Sequence, residues 1–197
     1  HKLVSENKYQ DNTHLNTSIL SDSQIQTKKG AFSKIVYLDD GSAISIYTDS
    51  EVKIKGDIKN RMILKQVNLI RGIIRVNVKH QASGEFQLFT PTSEVNCKEC
   101  SFWVISDELK GDQFIKETGI AKLLNPSVNS TMELVSDSTI IAKDNIGFEI
   151  IKTPITDIKF LESLMLDSDE KTLQYKKEQP EDQKTKVITN IVVIKLK

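Results

Sequence analysis

Any chemistry in this chain starts from Cys97 and Cys100, its only two cysteines. A C-x-x-C pair admits several uses: half of a zinc site, a redox dithiol, a small-loop disulfide, or two small buried thiols. A redox dithiol needs a thiolate of low pKa, made by a helix N-terminus or by neighbouring cations. Here Cys97-Lys98-Glu99-Cys100 leads into Ser101–Ser106 (SFWVIS), a strand pattern, and Lys98 is offset by Glu99. Structural zinc needs four ligands, usually from two such pairs, and only His14 and His80 are at hand to complete a set. A local disulfide and a pair of reduced, buried thiols both remain, and one pair does not define the redox compartment.

Other side-chain chemistries find less footing. No Gly-x-Ser-x-Gly elbow occurs, and no His sits in a pattern that marks a base. His80 ends one strand and opens a loop, which reads as an exposed loop residue. Asp39-Asp40 precede Gly41 and read as turn formers rather than an acid–base pair. Asp167-Ser168-Asp169 lacks the Gly and the closing Glu of a calcium loop. Trp103, the single Trp, follows Phe102 on a strand, so one ring faces the core and the other faces outward or a second layer. A packed core aromatic and a protein-interaction anchor are its two readings. No catalytic, cofactor-binding or metal-binding residue follows from these patterns.

The elements that must carry these residues are strands. Ile and Val number 37 against 21 for Leu and Ala, and β-branched side chains favour pleated sheets over helices. Ser33–Leu38 and Ala43–Tyr47 flank Asp39-Asp40-Gly41 as a hairpin, and Glu51–Lys55 alternates strictly. Met62–Ile70 and Ile73–Lys79 read as two strands parted by Arg71-Gly72. Pro91 ends the run Glu85–Phe89, and further short strands follow to Ile151. Gly41 and Gly72 are expected at turns or bulges.

Many short strands at a spacing of about 8–12 residues define an all-β fold, an antiparallel-dominated β-sandwich or β-roll. The organisation expected is a polar lead-in over 1–22 with one short strand at Thr17–Leu20, and a β-domain over 23–152. A charged linker over 153–186, with room for a short helix near Leu161–Leu166, and a terminal strand over 187–197 complete it. Twelve of the residues 162–186 are charged and almost none is β-branched, so 167–186 is expected to be the most mobile stretch.

Charge narrows the partners. The 27 basic and 27 acidic side chains cancel, and only Arg61, Arg71 and Arg75 are arginines, which leaves no footprint for nucleic acid or an acidic membrane surface. Apolar runs are too short to span a bilayer. The chain opens at His1 rather than Met, as a mature or trimmed form does, and this is compatible with an anchor upstream.

The order of motifs resembles the FecR family. Gln26-Thr27, Lys34–Leu38, Asp40-Gly41-Ser42, Ser50, Leu69 with Gly72, Arg75–Val78, Phe86, Thr90-Pro91-Thr92, Phe102-Trp103-Val104 and Glu117-Thr118-Gly119-Ile120 follow one another as they do there. The resemblance covers residues 24–151. It implies an exported, non-catalytic β-domain on the envelope side of bacteria, periplasmic or associated with the outer membrane, that binds a protein or an envelope component. In the best-known members such a domain relays a receptor's signal to a sigma-factor regulator. Other members sit in surface lipoproteins, so a purely structural accessory domain is a second reading. A thiol redox protein using Cys97 and Cys100 is a third. The family usually has Arg-Gly-Thr where this chain has Lys98-Glu99-Cys100. With that Gly lost, a disulfide is the available device for holding the turn.

Overall fold

The computed structural model describes residues 18–19, 22–59, 62–81, 84–178 and 191–194. Alternating β-branched residues build thirteen strands among them. In chain order they are β1 (Ser18–Ile19), β2 (Gln24–Gln26), β3 (Ser33–Tyr37), β4 (Ala43–Ile46), β5 (Glu51–Lys59), β6 (Met62–Val78) and β7 (Phe86–Phe89). Then come β8 (Glu94–Asp107), β9 (Gly111–Asn125), β10 (Ser130–Glu133), β11 (Ser138–Lys143) and β12 (Gly147–Lys152), the helix α1 (Ile155–Glu178), and β13 (Ile191–Ile194). Strands take 58% of the residues, which makes the fold all-β, as the β-branched bias predicts. Pairing is antiparallel except for β1–β13, β13–β3 and β6–β7.

Three strands are far longer than the local pattern predicts, and each exchanges partners along its length. The first half of β6 pairs with β5 and β7, and its second half pairs with β4 and β8. Residues 94–97 of β8 pair with β7, whereas residues 100–106 pair with β6. The start of β9 pairs with β11 and its end with β10, while β8 runs beside it throughout. The outcome is one continuous sheet rolled into two layers that share β6, β8 and β9. Val52, Ile54, Val67 and Leu69 from one layer meet Ile35, Ile44, Ile74 and Val76 from the other in a single core, all at most 1% exposed.

Two expectations need correction. Arg71-Gly72 does not separate two strands. It lies within β6, beside a register shift where Glu51 pairs with Arg71 and Val52 with Leu69, and Gly72 has φ +103°. The chain bends there instead of turning back, because the partner on each side changes at that point. Gly41 does sit in the β3–β4 turn. The helix is also longer than the segment expected near Leu161–Leu166. Its charged residues are compatible with a helix, and its Leu161, Leu164, Met165 and Ser168 fall at helical spacing on one face. Half of the stretch expected to be mobile is therefore helical, and residues 179–186 lie outside the described residues. The described part of the terminal strand, β13, lies between β1 and β3. Of the lead-in, only 18–19 and 22 are described.

Candidate interaction site

Cys97 and Cys100 occupy the corner where β8 leaves β7 for β6. Cys97 pairs with Phe86 and Cys100 with Val78, while Lys98 is an extra residue in the register with β9. The two sulfurs are bonded and the Cα atoms are 6.2 Å apart, within the span a disulfide can bridge. Both cysteines are buried, at 4% and 3% exposure, against the core. Opposite them Gly119 has φ +76°, and a β-carbon there would meet the Glu99 carbonyl and come within 2.7 Å of the Cys100 Cα. Gly119 thus provides the close approach on β9 that the missing Gly would have provided on β8. A groove of about 670 Å³ opens beside this corner, edged by His80, Glu85, Lys98, Glu99 and Lys122. His80 Nδ1 lies 3.4 Å from Glu99, both side chains well exposed. His14 lies outside the described residues. Among the described residues, no group of three or more His, Cys, Asp or Glu is placed to hold a metal.

Trp103 lies on the outer face of the second layer, back to back with the fully buried Phe102. It is only 3% exposed, because α1 lies over it. Tyr47 stacks on the Trp103 ring at 5.0 Å, and Phe32 tilts against Tyr47 at 5.4 Å. Leu161, Leu164 and Met165 of α1 close over this aromatic row. Trp103 is therefore not an exposed anchor, and a contact role for it requires α1 to move.

Beneath the row lies a polar cluster that sequence reasoning missed. Glu117 is skipped in the β8–β9 register, where Ser101 pairs with Thr118 and Phe102 with Lys116. This bulge aims its carboxylate back along the sheet. Trp103 Nε1 donates to it at 2.9 Å, Arg75 reaches it through Nε at 3.0 Å and Nη2 at 2.9 Å, and the Ser101 hydroxyl also donates to it. Burial opposes the charge, but the hydrogen bonds from Arg75, Ser101 and Trp103 outweigh it and hold the carboxyl below its ordinary pKa. Arg75 sits over the Trp103 ring at 5.9 Å. Alternation marks Arg75 as an outward residue of its strand, but only the bulge brings Glu117 to it.

The remaining motif residues anchor the roll. Asp40 of the β3–β4 turn accepts from the Ser42 amide at 2.8 Å and its hydroxyl at 2.9 Å, and it pairs with the ammonium of Lys65, which is 1% exposed. Asp39 lies 2.8 Å from the same ammonium, and Gln81 at 3.2 Å. So Asp39-Asp40 do form the turn, and they also neutralise a buried cation from the opposite layer. Thr27 accepts from the Ser50 amide at 3.0 Å, and Asp112 accepts from the Thr92 amide at 2.9 Å and hydroxyl at 2.6 Å. Each of these polar groups is engaged within the chain.

A rolled sheet with such anchors defines a β-scaffold. The family model described as FecR protein matches residues 23–114, and that segment is a FecR-family domain. Two crystal structures of a "putative anti-sigma factor" from Parabacteroides distasonis ATCC 8503, at 2.50 and 1.65 Å, share its fold with a TM-score of 0.55 and 20% identity. The similarity covers 66% of this chain and 59% of theirs, so this chain spans well under two thirds of that protein. None of the curated proteins matches.

Proposed function

We propose that this chain is a non-catalytic signal-relay module of the bacterial cell envelope that works by contact with a protein or an envelope component. The observation that carries the reading is the FecR match over 23–114. The likeness to a protein described as an anti-sigma factor supports the same class. Placement in the periplasm or at the outer membrane belongs to the same proposal, and the Cys97–Cys100 bond fits an oxidising compartment. Among the described residues no helix is long and apolar enough to cross a membrane.

The thiol redox alternative is disfavoured by burial. A dithiol that exchanges with substrates must expose its attacking sulfur, whereas both cysteines lie in the core. The accessory-domain reading is separated from relay by transcription. Excising the coding region for this chain from its gene, in the native host, should leave a defined regulon constitutive or uninducible. Unchanged transcript profiles across growth conditions would overturn signal relay and leave the structural reading. Insulin-reduction turnover by the purified chain would overturn the non-catalytic part.

A further inference from the structure

The aromatic row under α1 is complete without α1. The indole N–H, the guanidinium of Arg75 and the Ser101 hydroxyl all end on Glu117, so the helix satisfies none of these polar groups. What α1 contributes is Leu161, Leu164 and Met165, with the Ser168 hydroxyl beside the Tyr47 phenol and a Lys171 Nζ to Gly30 carbonyl bond of 2.7 Å. The fit is one-sided. Ile155 and Leu166 are 70% and 71% exposed, and Ile158 and Phe160 are also exposed, so Leu161 is the only large apolar side chain described on the helix that is fully buried. The rows beneath it, Phe32, Tyr47, Ile73, Trp103 and Ile105, belong to the FecR-matched segment, whereas α1 lies beyond it.

We propose that the Phe32–Tyr47–Trp103 row is a docking seat for an amphipathic helix, and that α1 is its resident, displaceable occupant. The partner that fits is a helix with aliphatic side chains at i, i+3 and i+4 and a small hydroxyl at i+7, the pattern of Leu161, Leu164, Met165 and Ser168. A preformed aromatic surface binds such a helix at little ordering cost to itself. The inference rests on the protein-contact reading and gives it a surface. Displacement of α1 would convert partner binding into a change at the opposite end of the helix.

Trp103 is the only tryptophan, so its fluorescence reads the seat directly. In the full chain, Leu161→Asp should leave the far-ultraviolet strand signal intact while red-shifting the emission and raising acrylamide quenching several-fold. Titrating a synthetic peptide of residues 155–178 into that variant should restore the wild-type quenching saturably, and the same peptide carrying L161D should not. Unchanged quenching in the variant, or quenching that the peptide does not reverse, would overturn the seat. Loss of the strand signal in both Leu161→Asp and the milder Ser168→Arg would equally overturn it, because the helix would then be integral to the sheet. These readouts are independent of transcription, so the seat can fail while signal relay stands, and the reverse.

Discussion

The side chain of Ser50 fills the space that a β-carbon on Gly72 would need. A methyl there would lie 2.5 Å from the Ser50 Cα and 2.6 Å from its Cβ. The Ser50 hydroxyl accepts from the Ile73 amide at 2.8 Å and donates towards the Ile73 carbonyl, which holds the bend of β6. Gly72→Ala combines this overlap with a positive φ, and we expect it to cost roughly 3 kcal/mol or more in urea unfolding. Adding Ser50→Gly should recover part of the loss but not the backbone strain.

Removing the disulfide should loosen one corner only. Its ring encloses just Lys98 and Glu99, so the loop-entropy contribution sits near the low end of the usual range, about 1–2 kcal/mol. Cys97→Ala/Cys100→Ala should keep its far-ultraviolet spectrum and gain amide exchange at 96–100 and 119–121. A free-thiol titration of untreated protein should find none. Two reactive thiols would refute the native bond.

The Glu117 cluster makes stability depend on acid. Because the folded carboxyl has a pKa below its ordinary value of 4.5, its contribution is fully present above that value and is lost as pH falls through the lower, folded pKa. Trp103 donates to this carboxylate, so its emission should change over the same acidic interval. Glu117→Gln should abolish that transition and destabilise the fold by about 1–2 kcal/mol, since Arg75 then loses its charged partner. An unaltered fluorescence titration in the variant would refute the assignment.

Two neighbouring core residues should respond in opposite ways. The Tyr37 hydroxyl is buried and makes no hydrogen bond, and burial raises its pKa. Tyr37→Phe removes an unsatisfied polar atom and should be neutral or slightly stabilising. Lys65→Met leaves Asp39 and Asp40 facing each other without their cation, and should cost roughly 3 kcal/mol. Chemical denaturation of both variants checks the contrast.

How far the sequence reveals this protein differs by element. Strand alternation in Glu51–Lys55 or Arg75–Val78 is a local signal and appears in the structure as read. The partner exchange inside β6 is not local. Its only trace is Gly72, which the chain pattern reads as a turn because a glycine between two apolar runs looks the same in both cases. The helix was underestimated for a related reason. Its charges face solvent, and a sparse apolar stripe of Leu161, Leu164 and Met165 is weak until something lies beneath it. Glu117 could not be paired with Arg75 from sequence, because a bulge, rather than the regular spacing of β9, aims it. Cys97 and Cys100 were legible as a pair, but their position at a strand-partner switch was not.

Three strands serving two layers has a kinetic consequence. Neither layer can be finished alone, because β6, β8 and β9 must each find partners on both sides of a bend before either half of the core is sealed. The pairings are also distant in sequence, as with Arg75 beside Trp103 and Ser45. Topologies of this kind close many long loops before contacts repay them, and they fold on the millisecond-to-second scale rather than faster. The chain should therefore acquire its two layers in one cooperative event, and a fragment ending before β8 should not hold the first layer by itself.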